Sequence, residues 1–345
     1  MCFLLWGRLF NLRRIVNPPA RWAAQSPGRR IANPPQIANL PHIVTLAYAA
    51  DLLLGDPEWF PHPVRLFGFL TNAGDRCLRP LTRGPKSELL AGAALTVSVA
   101  SVGWALARPK NTAWQTLLAW TALATRSLLD EARAVIQALE ANDLDLARRR
   151  LARIVGRDTA HLDETEISRA VIETLAESAC DGIVAPLFWL AAAGVPGAMS
   201  YKAINTLDSM IGHPEPPYRY FGRVAARLDD AVNWIPARLT ALALVAAAKL
   251  QRIDTASAWQ IWRRDGDKHA SPNAGQCEAA MAGALGVRLG GASSYDSRPH
   301  HTPLLNAEGR PASVHDAKAA LSLVAIVSAL AFGAALLAIA GRRRK

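Results

Sequence analysis

The sequence predicts a mostly α, polytopic integral membrane protein with about three to five membrane-embedded helices and a helical water-facing insert. Three observations lead there. Residues of the hydrophobic set make up 51% of the 345 and charged residues only 19%, with a mean hydropathy of +0.10, an unusual balance for a water-soluble chain of this size. The run Ala319–Ala340 carries no charge over 22 residues, enough at 1.5 Å per residue to cross a hydrocarbon core. Apolar residues elsewhere recur at helical steps, and no strand-type alternation accompanies them.

The elements follow in chain order. Residues 1–40 hold six arginines and no acid, are rich in proline, and read as a basic disordered leader or a mis-assigned start; 41–345 reads as a single membrane domain. An apolar stretch at 43–55 is interrupted by Asp51, and Leu89–Ala107 is uncharged and long enough to span. Between 126 and 177 lies the insert, with three amphipathic segments. The second should stop at a left-handed Gly156. The third opens on a capping box of Asp163 and Glu166 and buries Ile167, Ala170, Val171, Thr174 and Leu175. Weaker spans at 183–201 and 235–248 contain Pro186 and Pro196, and Arg238, respectively. The stretch 251–315 reads as polar, with loops at 212–222 and 286–312. The final span, 319–340, is followed by Arg342, Arg343, Arg344 and Lys345, which places the C-terminus in the cytoplasm. Those basic residues are explained by topology, so lipid and not nucleic acid is the expected partner.

Several chemistries are excluded. The sequence has no Walker-type phosphate loop, dinucleotide fingerprint, nucleophile elbow or zinc-hydrolase motif. Cys2, Cys77, Cys180 and Cys277 stand far apart and suggest neither a disulfide framework nor a structural zinc site; a reducing compartment is the plainer expectation. What remains are polar residues within or beside apolar segments, where a charge is costly unless paired or functional. Asp51 and Asp56 are candidate metal ligands or caps, and His62 and Arg65 follow them. Glu173, Glu177 and Asp181 step by four, an acidic stripe whose repulsion a magnesium ion or an amine would relieve. Asn205, Asp208, Arg227, Asp229, Asp230, Asn233 and Arg238 form the densest cluster, of a composition suited to a metal–phosphate complex or to an ion-pair network. Asn273 and Glu278 flank a small-residue helix that allows close packing or close approach of a large ligand.

The stretches DLLLGDPEWFPHPVRLFG, IVGRDTAHLDETEISRAVIETLAES, DGIVAPLFW, YKAINTLDSMIG, YRYFGRVAARLDDAVNWIPARLTAL and SPNAGQCEAAMAGALGVRLGG strongly resemble the adenosylcobinamide-phosphate synthase family of cobalamin biosynthesis, the CobD/CbiB membrane proteins. The resemblance spans about residues 45–295. It departs in two places: a thiol, Cys180, stands where the family often has a hydroxyl, and Cys277 stands where proline commonly precedes the glutamate.

This resemblance implies a multi-pass enzyme of the cell (inner) membrane that joins aminopropanol, or its O-phosphate, to the free propionate carboxylate of adenosylcobyric acid. ATP and Mg2+ are then the expected driver, with an acyl phosphate as intermediate and no tightly bound cofactor. The implied roles are metal binding for Asp51, Asp56, Asp208, Asp229 and Asp230, phosphate neutralisation for Arg65, Arg227 and Arg238, and proton transfer for Glu173 or Glu177, with Asp181 in the catalytic set. His62, Asn205, Asn233, Asn273 and Glu278 complete the substrate site. Other corrinoid-pathway membrane enzymes are implied as further partners. Two alternatives stay open: a membrane phosphotransferase of the CDP-alcohol type, whose DGxxAR signature is broken here by Pro186, and a corrinoid transporter or scaffold without catalysis.

Overall fold

Prolines and side-chain caps set where the helices begin. The computed structural model describes residues 35–57, 59, 62–295 and 298–343; most of the expected leader, Arg344 and Lys345 lie outside the described residues. Helix α1 (Pro35–Leu54) begins inside the stretch expected as leader. Helices α2 (Pro63–Leu78) and α3 (Pro85–Leu106) carry proline in their first turn, where its missing N–H costs nothing. Asn111 caps α4 (Thr112–Ala122) by accepting from the Trp114 N–H at 3.0 Å.

The insert region forms α5 (Thr125–Glu140), α6 (Leu144–Leu151) and α7 (Glu164–Ala179). The expected capping box on α7 is present, the Glu166 N–H donating to Asp163 and the Asp163 N–H to Glu166. Ile167, Ala170, Val171 and Leu175 are buried, with Thr174 at the margin of that stripe. Gly156 is not in the left-handed region. Helix α6 ends earlier, at Leu151, because a tight turn from the Ile154 N–H to the Leu151 carbonyl satisfies its last oxygens locally.

After a π turn at Cys180–Val184 the chain continues as α8 (Ala185–Ile211), α9 (Arg223–Leu250), α10 (Thr255–Asp265) and α11 (Ala274–Leu285). Strands β1 (Leu289–Tyr295) and β2 (Arg298–Leu305) pair antiparallel, and α12 (Val314–Arg343) closes the fold. The hairpin corrects the reading of 286–312 as loop. Its glycines and serines hide any alternation, and much of its anchorage comes from another element: Glu173 accepts the Gly290 N–H at 2.8 Å, and Arg169 donates to the Gly290 and Ala292 carbonyls. The stretch read as polar also contains α11, every residue of which is buried. Its small residues let it press on its neighbours, so that a Cβ on Gly283 would sit 2.6 Å from the Ser257 carbonyl.

Four helices among the described residues are long and apolar enough to cross a membrane: Pro85–Leu106, the run Glu164–Ile211, Arg223–Leu250 and Val314–Arg342. The protein is thus a mostly α, multi-pass membrane protein. The second of these is not one straight rod. Asp181 and Asn205 are 24 residues apart, about 36 Å along a continuous helix, yet their side chains hydrogen-bond at 3.0 Å.

The chain folds back at Gly194, whose backbone (φ 69°, ψ −167°) lies outside the helical region in a conformation essentially reserved for glycine. Pro196 follows at once and starts the returning arm. Sequence reasoning reads Pro186 and Pro196 as weakening a single span; Pro186 sits in the first turn of α8, and Pro196 marks the bend of a helical hairpin. The carbonyls freed at its tip are not left bare, since the Arg342 guanidinium donates to the Ala191 and Ala192 oxygens at 2.6 and 2.7 Å.

Replacing Gly194 by alanine should lower the melting temperature of the detergent-solubilised protein, the strain amounting to about 1–3 kcal/mol. An unchanged melting temperature would remove Gly194 as the determinant of the bend.

Candidate active site

The fold-back brings three helical segments to one place. Asp181 stands on the π turn and Asn205 on the returning arm of α8, where its amide donates to Asp181 at 3.0 Å and to Asp229 of α9 at 3.5 Å. The Asn233 amide donates to the other Asp229 oxygen at 3.0 Å, and its carbonyl oxygen accepts from the buried Tyr201 hydroxyl at 2.9 Å. Two asparagines thus neutralise by hydrogen bonding what two carboxylates would otherwise cost in an apolar surrounding. Lys202 approaches the Asn205 oxygen at 3.4 Å, with Asp181, Asp56 and Asp229 as its charged neighbours.

The π turn itself is part of this arrangement. The wider i→i+5 pattern of a π turn leaves a carbonyl without its usual partner, and the Gly182 oxygen is taken by the Ala124 N–H at 2.9 Å.

In front of this network opens a cavity of about 750 Å3, within the size range of small-ligand sites. Glu177, Asp181, Asp208, Asp229 and Asp230 line one part of it, and Arg219, Arg223, Arg227 and His213 another. Asp208 ends the returning arm, and Gly212 must lack a side chain because a Cβ there would meet the Asp208 carboxylate at 1.9 Å. The loop after α8 is held down by Tyr218, which donates to Asp75 at 3.4 Å and lies under Arg79. Asn273 closes the far wall. Its amide donates to the Asp230 carbonyl at 2.9 Å, while its own buried carbonyl oxygen has no partner among the described residues.

Of the residues expected from sequence, Glu177, Asp181, Asp208, Arg227, Asp229, Asp230, Asn233 and Asn273 line this cavity, and Asn205 braces it from behind. The others do not reach it. Glu173 is occupied by Arg157 at 2.6 Å and by the hairpin, a structural anchor in place of the expected base. Asp51 is fully buried and accepts the Thr125 N–H at 3.1 Å, fixing the start of α5. Asp56 faces His62 at 3.4 Å, and His62 also caps α2. Arg65 is exposed. Arg238 stacks on Trp234 of its own helix, 4.2 Å from the ring centre, and donates to that residue's carbonyl.

Glu278 is buried beside Glu173, Glu177 and Cys277 and does not line the cavity. Burial, helped by the neighbouring carboxylates, pushes its carboxyl well above the usual range. The sequence reading missed Lys202, His213, Arg219 and Arg223; the basic residues of IGHPEPPYRYFGRV were the available signal, and they read as loop.

The two departures from the family pattern turn out to be neighbours. Cys180 and Cys277 are both buried, within side-chain contact of each other. They face α9 one turn apart, at Asn233 and at the Ala237 carbonyl.

Among the described residues no group of three or more His, Cys, Asp or Glu side chains is gathered as a metal cage. Of the expected metal set, Asp229 and Asp230 line the cavity and Asp51 and Asp56 do not. The hard oxygens of Asp208, Asp229 and Asp230 do fit Mg2+, which is commonly held by one or two carboxylates together with phosphate oxygens.

Comparison with known proteins identifies the family. The family model described as "CobD/Cbib protein" matches residues 44–324. The chain belongs to the CobD/CbiB family. It is 43% identical over 277 residues to a cobalamin biosynthesis protein CobD of Geobacter metallireducens, covering 78% of this chain and 87% of that one. It is 49% identical over 266 residues to the CobD of Pelobacter propionicus, covering 74% and 81%. With the cobalamin biosynthesis protein CbiB of Salmonella typhimurium it shares 41% over 297 residues, covering 83% and 93%. No solved structure matches.

Stability should report the state of Glu278. A carboxyl whose pKa is raised on folding stabilises the fold fully below its unfolded value, near pH 4.3, and that contribution is lost as pH rises through the folded value. Glu278→Gln, which mimics the protonated acid, should flatten the decline in melting temperature between about pH 5 and about pH 9. A profile parallel to the unmodified protein would show that Glu278 does not titrate in this way.

Proposed function

We propose that this protein is the adenosylcobinamide-phosphate synthase of cobalamin biosynthesis, joining the amino group of aminopropanol, or of its O-phosphate, to the propionate carboxylate of adenosylcobyric acid through an amide bond. Family membership supports the pathway. The single observation that carries the site is the network in which Asp181, Asn205, Asp229 and Asn233 meet at the edge of an open cavity between membrane-type helices. Such acids attract a primary ammonium, and an amide-forming enzyme needs an ammonium that can be deprotonated where it attacks.

The cavity, at about 750 Å3, suits the small amine and one side chain of the corrin, the macrocycle remaining at its mouth. Glu177 borders the opening and takes the proton as the amine attacks, a general-base role. Asp208 holds the amine before that step, while Asn205 and Asn233 keep Asp181 and Asp229 in register. Mg·ATP, when bound, supplies the phosphoryl group that makes an unreactive carboxylate electrophilic, with Asp229 and Asp230 as the metal's protein ligands. We place the protein in the cell (inner) membrane with its C-terminus cytoplasmic, on the strength of the basic tail.

The test is direct. Purified protein in liposomes, given adenosylcobyric acid, aminopropanol phosphate and Mg·ATP, should yield the amide-linked corrinoid by mass spectrometry. Asp181→Asn and Asp229→Asn should each cut the rate at least about 100-fold, the scale of a lost general base or positioning acid, without loss of protein from the membrane. Full rates in both variants would overturn the site; corrinoid binding with no product would favour a carrier or scaffold.

A further inference from the structure

The cavity has a second pole that the acids do not explain. Arg219, Arg223 and Arg227 line it together with His213, and all four are exposed to solvent. The arginines follow at steps of four, the last two on the first turns of α9 and the first on the turn that leads into it. Cations at that spacing repel one another. They also stand at the positive end of a 28-residue helix, where the backbone dipole disfavours positive charge.

Among the described residues little local compensation is built in. The cap of α9 is Gly222, no side chain accepts its first N–H groups, and its first turn holds no acid. Asp230 approaches Arg227 at 3.5 Å, and Arg219 lies on the ring of Tyr220; among the described residues neither Arg219 nor Arg223 forms a salt bridge. The glycine at the cap is itself constrained. A Cβ on Gly222 would lie 1.5 Å from the Ile211 carbonyl, so the end of α8 and the start of α9 must touch backbone to backbone. That contact holds the arginine stripe beside Asp208 at the cavity wall.

We propose that Arg219, Arg223, Arg227 and the first turn of α9 form a binding site for a phosphoryl anion at the cavity mouth. This inference rests on the synthase reading for its location but not for its chemistry. Fork-shaped guanidinium donors and free helix N–H groups are what a phosphate accepts from. The site shares the cavity lining with the acids that receive the amine, so one ligand bearing both a phosphate and an ammonium would meet both kinds of charge. The same chemistry has two sources, the phosphate ester of the amine or the phosphates of a nucleotide, and two probes separate them.

The experiment measures calorimetric binding to the purified full-length protein in detergent, without corrinoid. O-phosphoethanolamine against ethanolamine reports the ester, and a non-hydrolysable ATP analogue with Mg2+ reports the nucleotide. At least one phosphorylated probe should bind, and Arg219→Gln/Arg223→Gln should weaken it at least tenfold. Arg223→Lys, which keeps the charge but not the fork, should weaken it less. Arg263→Gln, an exposed change on α10, should leave it unaltered. Tighter loss for the ester assigns the site to the amine substrate, and tighter loss for the analogue assigns it to the nucleotide; either supports the site.

Binding of both probes unchanged in the double variant overturns it, as does binding of neither probe to the unmodified protein. Because no amide is formed in this assay, amide synthesis that persists beside such a failure would leave the synthase reading standing.

Discussion

The fold-back of the chain at Gly194 is the constraint on which the rest depends. It converts a sequence that reads as one long apolar stretch into two antiparallel arms, and only in that arrangement do Asp181 and Asn205 meet. Without the meeting, a carboxylate on the π turn would face apolar neighbours with no amide to offset its charge, at a cost of several kcal/mol. The tip is held by Arg342 from the far end of the chain, so the last helix stabilises a bend that the middle of the sequence creates.

Placement of the acids follows from that bend and from helix packing together. Asp229 and Asn233 are one turn apart on α9 and so share a face; that face meets the returning arm of α8, where Tyr201, Lys202 and Asn205 lie within another turn. The buried half of the network is satisfied by amides, while Glu177, Asp208 and Asp230 open to the cavity. This is the division expected of a binding site: carboxylates fully compensated inside give rigidity, and carboxylates left partly uncompensated at the surface give affinity for a cation. The arginine stripe adds positive charge to the same lining.

Acids that look alike in the sequence therefore serve unlike ends. Glu173 and Glu177 are one turn apart on α7, yet the first fastens a β-hairpin and the second borders the cavity. Asp51 and Asp56 interrupt an apolar run in a manner suggestive of metal binding, and both stand outside the cavity lining, one accepting a hydrogen bond at the start of α5 and the other facing His62. The two cysteines that depart from the family pattern lie side by side, a thiol on the π turn against a thiol on α11.

Local properties were legible in the sequence alone. The uncharged run before the basic tail, the capping box at Asp163 and Glu166, and the pair of Asp229 and Asn233 each depend on residues a few positions apart, and spacing along a helix fixes which of them share a face. The long, ordered stretches of family resemblance were legible for the same reason. The bend was not, because a glycine and a proline in an apolar run are equally consistent with a kinked span and with a hairpin. Nor were the anchoring of the hairpin through Glu173, the burial of Glu278 and the place of the arginine stripe on the cavity wall. Each of these is a meeting of segments far apart in the chain, decided by which faces could pack and which charges had to be paired, and that information exists only once the helices are in contact.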